Sequence, residues 1–132
     1  YESLSIKPKE ILKSRDYVLV YENEDQIKNI KIDKELFDKK NIDPGGVVIT
    51  AKGKNSDFVS RYFVPQCSFF EDPVTGSTHC SLVPYWSKKL GKQKLTSMQL
   101  SERGGEMFCI DKGDRVLING KAKTYSVGEV FL

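Results

Sequence analysis

This sequence predicts an α+β fold in which many strands close around one central helix, and three features carry that reading. Short runs rich in β-branched and aromatic residues recur from Asp16 onward, several with the two-residue alternation of strands. One segment, Gly76 to about Leu90 ("GSTHCSLVPYWSKKL"), has helical length, with Cys80, Val83 and Trp86 at helical spacing and Leu82, Tyr85 and Leu90 widening the apolar face. A stripe that broad belongs to a helix enclosed by sheet rather than one lying on a surface. The third feature is size. The 132 residues are 39% hydrophobic with no repeat, low-complexity tract or linker, which suits a single domain over 1–132 with its own core.

Taken in order, "KPKEILKSRD" is expected to form a short helix, with Pro8 near its first turn and Ile11 and Leu12 as apolar anchors. "DYVLVYE" (Asp16 to Glu22) reads as a buried strand. "DKELFDKK" reads as a second short helix, capped by Asp33, with Leu36 and Phe37 turned inward. "DPGG" (Asp43 to Gly46) has turn chemistry, and "VVITAKG" after it is a strand. "DFVSRYFVP" sets Phe58, Ser60, Tyr62 and Val64 on one face and Val59, Arg61 and Phe63 on the other, a strand partly covered on both sides.

Within the long helix, Pro84 removes the hydrogen bond to the Cys80 carbonyl at a cost of roughly 3 kcal/mol, so a kink is expected there. Lys88, Lys89 and Gly91 close that helix. The tail supplies "KLTSMQL", "GEMFCID", a turn at "KGD", then "RVLI". A hairpin turn at Asn119-Gly120 leads into a last strand, "AKTYSV".

Composition excludes several classes of function. Net charge is +3, but acids dilute every basic stretch, unlike the clustered and aromatic-interleaved surfaces that bind nucleic acid. No apolar run approaches the ~20 residues of a membrane span, and no secretory pattern opens the chain. Cys67, Cys80 and Cys109 are odd in number and widely spaced, which fits free thiols in a reducing cytoplasm. A start at Tyr1 without methionine suits a piece of something longer.

The chemistry concentrates in "EDPVTGSTHC", residues 71 to 80. The first-turn amides of Gly76, Ser77 and Thr78 lack intrahelical acceptors and face outward at the positive end of the helix dipole, a seat for carboxylate or phosphate. A second reading makes Asp72 the N-cap with Pro73 at the first helical position. Glu71 and Asp72 do not share a site, because adjacent side chains of an extended stretch diverge and proline keeps its predecessor extended. Asp72, nearer the helix, is the candidate.

The sole histidine, His79, is either a base at a cleft edge or a hydrogen-bonded core residue, and the latter is favoured because no carboxylate stands at i+3 or i+4. Cys80 reads as inert packing inside the helix. Arg103 to Gly105 ("RGG") either contacts ligand or bends a strand, with the bend favoured. Tyr85 and Trp86 read as core.

"SRYFVP", "EDPVTGSTHCSLVPYWSKKLGK", "QLSERGGE" and "GDRVLINGKA" together resemble the C-terminal half of the PhzF-like phenazine-biosynthesis family, of the diaminopimelate-epimerase-type fold. The resemblance runs through essentially the whole chain and is dense from Asp57 onward. It implies two similar lobes, each a curved, mostly antiparallel sheet wrapped around a central helix, with the active site in the cleft between them. Here the chain would be the C-terminal lobe. The resemblance also implies that Asp72 is an acidic, catalytic site residue, that Gly76 and Ser77 bind the substrate carboxylate with Thr75 a further substrate-binding residue, and that no metal or organic cofactor takes part. The family's main acid/base, a glutamate, belongs to the N-terminal lobe and has no counterpart here.

The expected partners are a small anionic metabolite, the N-terminal lobe and a second copy in a homodimer. The expected function is cofactor-independent isomerisation by proton movement at carbon. A non-catalytic protein holding an anionic metabolite on the same fold is the alternative.

Overall fold

Alternation along three strands sends apolar side chains to both faces of one sheet. The computed structural model describes residues 2–39 and 45–131. In β2 (Tyr17–Val20), β3 (Val47–Lys52) and β4 (Phe58–Phe63), the side chains of Val18, Val20, Val48, Phe58 and Tyr62 join one core. Those of Leu19, Val47, Ile49, Ala51, Val59 and Phe63 join another on the opposite face. The remaining strands are β1 (Glu10–Lys13), β5 (Glu71–Asp72), β6 (Lys94–Gln99), β7 (Gly105–Asp111) and β8 (Val116–Asn119). The sheet order is β1-β2-β3-β4-β6-β7-β8, with β5 paired to β4 off this path. Pairing is antiparallel except for β2 with β3 and β4 with β6.

The helix α3 (His79–Leu90) lies against one face and gathers both ends of the sheet. Leu12 of β1 and Ile118 of β8 pack on the cluster that holds Leu82, Val83 and Trp86. Seven strands laid flat at ~4.8 Å spacing span about 29 Å, far more than a helix ~10 Å across. Both edges reach one helix only if the sheet curves around it, as the sequence reading expected. Trp86 centres this core, stacked on Phe58 (centroids 6.0 Å apart, planes within 5°) and donating Nε1–H to Thr50 Oγ1 at 3.0 Å. The helix ends at Gly91, whose φ of +67° lets its amide and that of Lys92 both reach the Ser87 carbonyl.

The other face is covered by α1 (Glu24–Asn29) and α2 (Lys34–Asp38). Asp33 caps α2 as expected, its Oδ1 accepting from Leu36 N at 3.0 Å. Phe37 is buried, but Leu36 is 38% exposed rather than turned inward, because a helix of five residues has one inward position to fill. The sequence reading did not anticipate α1, which is capped by Asn23 and anchored by the fully buried Ile27.

Several other expectations are corrected. The opening helix is instead strand β1, because Glu10–Lys13 completes the antiparallel ladder that β2 offers and a four-residue helix has too few hydrogen bonds to offset nucleation. Of its two proposed anchors, Leu12 packs on the core and Ile11 is 51% exposed. Cys80 is exposed, not packed, because the inward stripe of α3 starts at His79 and continues through Leu82, Val83 and Trp86.

The Asn119-Gly120 hairpin does not form. Neither residue has the positive φ of a type I′ turn, and Asn119 itself pairs with Phe108 in the β7–β8 ladder. "AKTYSV" accordingly has no ladder, and Tyr125, Val127, Val130 and Phe131 are 85–101% exposed. Of the proposed "DPGG" turn, Asp43 and Pro44 lie outside the described residues, while Gly45 has φ +113°. Among the described residues no helix is long and apolar enough to cross a membrane.

Candidate active site

The edge of β4 that faces β6 is shared by two strands. β6 pairs with Phe58 to Ser60, and β5 takes over at Tyr62 and Phe63. Gln99 stands opposite Ser60 and Asp72 opposite Tyr62, two residues further on and on the same face of the sheet. The end of β6 therefore abuts the start of the segment that leads into α3, and side chains from β6 tie that segment down.

Gln99 is 1% exposed. Its Oε1 accepts from Thr75 N at 2.8 Å, and its Nε2 donates to the Asp72 carbonyl at 2.7 Å and to Thr75 Oγ1 at 3.0 Å. Thr75 in turn donates its hydroxyl proton to Asp72 Oδ2 at 2.6 Å. Two residues on, Ser101 Oγ donates to the Pro73 carbonyl at 2.7 Å and accepts from Gly104 N at 3.1 Å. Gly105 is required for packing here, because a Cβ on it would lie 2.3 Å from a Val74 methyl. "RGG" is thus a tight turn and a close backbone approach onto the site segment, with Gly104 at φ +70°.

From this braced base the chain turns into α3. Residues 76 to 78 form a tight first turn, with the amides of His79 and Cys80 reaching back three residues to the Gly76 and Ser77 carbonyls. Among the described residues, nothing accepts from the amides of Gly76, Ser77 or Thr78, and Gly76 and Ser77 are exposed. Gly76 has no positive φ, and a Cβ there would meet nothing within 4 Å, so the fold itself does not need glycine at this position. A groove of about 450 Å³ runs alongside, between Val74, Gly76 and the Arg103–Met107 segment.

His79 is fully buried beneath this turn. The Thr75 carbonyl can only accept, so Nδ1 (2.9 Å away) carries the proton and Nε2 accepts from Ser97 Oγ at 2.8 Å. Burial lowers its pKa, and the imidazole is a neutral brace rather than a base. Opposite Asp72, the hydroxyl of Tyr62 in β4 donates to the buried Asp16 at 2.9 Å, and burial together with that carboxylate pushes the Tyr62 pKa up to about 12.

The structure places the sequence candidates as follows. Asp72 is partly buried in β5 and is not the cap of α3, whose N-cap position is Thr78. Its carboxylate lies within hydrogen-bond reach of the residue that precedes Gly76. Thr75 is buried, with its hydroxyl and amide already bonded to Asp72 and Gln99, so its contact with a ligand would be indirect. Glu71 points away and closes a two-pronged ion pair with Arg61 (2.7 and 2.8 Å). Gln99, Ser101 and the Tyr62–Asp16 pair escaped the sequence reading. Gln99 had a signal available, as a polar residue on the inward side of "KLTSMQ" with Leu95 and Ser97.

A curved, mostly antiparallel sheet wrapped around one helix is the α+β architecture of the diaminopimelate-epimerase type. The chain belongs to the family of phenazine biosynthesis-like proteins, whose model matches residues 6–128. It is 42% identical to an uncharacterized isomerase of Pseudomonas aeruginosa, over 99% of this chain and 50% of that protein. In structure it resembles a PhzF-family protein of Enterococcus faecalis (TM-score 0.87, 39% identity, 99% of this chain and 50% of that one). It likewise resembles a PhzC/PhzF protein of Clostridium difficile (TM-score 0.83, 44% identity, 95% and 48%). The chain spans about half the length of the curated relatives it matches.

Proposed function

We propose that this chain is the C-terminal lobe of a cytoplasmic, homodimeric, cofactor-independent isomerase that moves a proton at a carbon of a small carboxylate-bearing metabolite, in a cleft completed by an N-terminal lobe. The observation that carries the reading is the Asp72 carboxylate, pinned through one oxygen by Thr75, next to an exposed helix-start turn with unused amides at Gly76 and Ser77. Gly76 and Ser77 would hold the substrate carboxylate, with the α3 dipole adding attraction. Asp72 would take or give the proton at the neighbouring carbon. The names of the relatives support an isomerase. The exposed apolar side chains of the 125–131 tail support docking against a further part of the protein.

The test follows deuterium uptake at carbon by NMR when the full-length protein is incubated in deuterium oxide with a panel of 2-amino, 2-hydroxy and β,γ-unsaturated carboxylates. Asp72→Asn keeps the hydrogen bond from Thr75 and does not disturb the α3 cap, so its melting temperature should match the wild type while exchange falls by roughly 100-fold or more. Retained exchange in Asp72→Asn would remove Asp72 from the chemistry. Tight carboxylate binding without exchange by the wild type would favour a binding protein instead.

A further inference from the structure

We infer that Gln99 is a positioning residue that fixes the direction of the proton in the Asp72–Thr75 hydrogen bond, so that Asp72 exchanges protons through Oδ1 alone. This rests on the reading of Asp72 as the acid/base. The argument starts from the orientation of the Gln99 amide, which chemistry decides. Thr75 N can only donate, so the atom 2.8 Å away is the amide oxygen. The Asp72 carbonyl can only accept, so the atom 2.7 Å from it is the amide nitrogen. That nitrogen has two protons and no usable lone pair. One proton goes to the Asp72 carbonyl and the other to Thr75 Oγ1 at 3.0 Å.

Thr75 Oγ1 therefore acts as an acceptor toward Gln99, and its single proton is left for Asp72 Oδ2 at 2.6 Å. A proton arriving on Oδ2 would reverse this bond and strand the Thr75 hydroxyl proton at a residue only 6% exposed, where an unmade hydrogen bond is costly. Oδ1 has no such conflict, since no donor reaches it among the described residues. The network thus gives Asp72 one permanently accepting oxygen and one working oxygen. Gln99, which touches no reacting atom, sets that polarity from behind.

The test uses the full-length protein labelled with ¹³C at threonine and aspartate. In the wild type, a slowly exchanging Thr75 hydroxyl proton should correlate across its hydrogen bond with the Asp72 carboxyl carbon. A hydroxyl proton directed anywhere else overturns the inference without recourse to any variant. Gln99→Glu retains the shape and the acceptor for Thr75 N but loses both donors, so the hydroxyl proton should turn toward Glu and the correlation to Asp72 should vanish. Its persistence also overturns the inference.

Turnover is then read on whichever panel carboxylate the wild type deuterates. Gln99→Glu and Thr75→Val should each lower kcat roughly 10- to 100-fold with KM within about twofold, and the double variant should be no worse than either. Thr75→Ser, which restores the hydroxyl, should recover kcat to within roughly threefold of the wild type. A change confined to KM, or additive losses, would mean that Gln99 merely supports the binding turn. If the wild type deuterates nothing, the isomerase reading fails, and the hydroxyl correlation still decides the polarity.

Discussion

Lowering the pH from 7.5 to 5.5 should destabilise the 132-residue chain through one residue. His79 is its sole histidine, fully buried and held as the Nδ1–H tautomer between the Thr75 carbonyl and Ser97. Burial lowers the native pKa below the ordinary 6.5, while the unfolded chain keeps the ordinary value. Between 6.5 and the lower native value the unfolded state binds more protons. Stability is therefore complete above pH 6.5 and is lost progressively as the pH falls. The unfolded pKa of 6.5 sets a ceiling on the loss between pH 7.5 and 5.5 of about one factor of ten in the folding equilibrium, a few degrees in melting temperature, and any proton uptake by the native imidazole makes it smaller.

The carboxylates of Asp57, Glu22 and Glu24 contribute little in this window, since hydrogen bonds from lysine and backbone partners lower their pKa values further below the ordinary 3.8 and 4.5. Urea unfolding at half-unit pH steps, for the wild type and His79→Gln, isolates the histidine as the difference between the two curves. The imidazole Hε1 resonance of the native state should titrate below the ordinary 6.5, because burial disfavours the charged ring. A native imidazole that titrates near 6.5, or equal pH slopes for the two proteins, would refute the buried neutral histidine and its role as a brace beneath the site.

Gly76→Val should cost less than about 1 kcal/mol, because the added Cβ meets no atom within 4 Å and the backbone φ is ordinary. In the full-length protein it should weaken sulfate and carboxylate binding by roughly tenfold, read by calorimetry, and unchanged affinity would remove the helix-start site. On the proposed two-lobe reading, the 132-residue chain alone should fold on its two cores yet exchange no carbon-bound proton in deuterium oxide, because a half-cleft would admit water and offer groups on one side of the carbon only. It should also self-associate through Tyr125, Val127, Val130 and Phe131, which sedimentation velocity would detect.

What the sequence revealed, and what it hid, divides according to how far apart the interacting residues lie. β2, β3 and β4 were legible because both of their faces are apolar, and the end of α3 was legible because Lys88, Lys89 and Gly91 act within one turn. Asp72, Gly76 and Ser77 were nominated on equally local grounds, since a turn, a proline and a helix start sit within seven residues. β1 was misread because Pro8 and the pair Ile11–Leu12 imitate a helix locally, whereas the ladder that makes it a strand is supplied by β2. The last hairpin failed in the opposite sense, because the local Asn119-Gly120 signal yielded to pairing of Asn119 with Phe108, 11 residues away.

Gln99 lies at the far end of the same scale. It sits 24 residues from Thr75 and 27 from Asp72, and only the handover of one β4 edge from β6 to β5 brings the three together. An amide at that point satisfies a buried backbone donor, a part-buried carbonyl and a hydroxyl at once, which neither an apolar side chain nor a carboxylate could do. Chemistry within one loop can therefore nominate an acid, but the state in which that acid is held is decided by a strand that the loop does not contain.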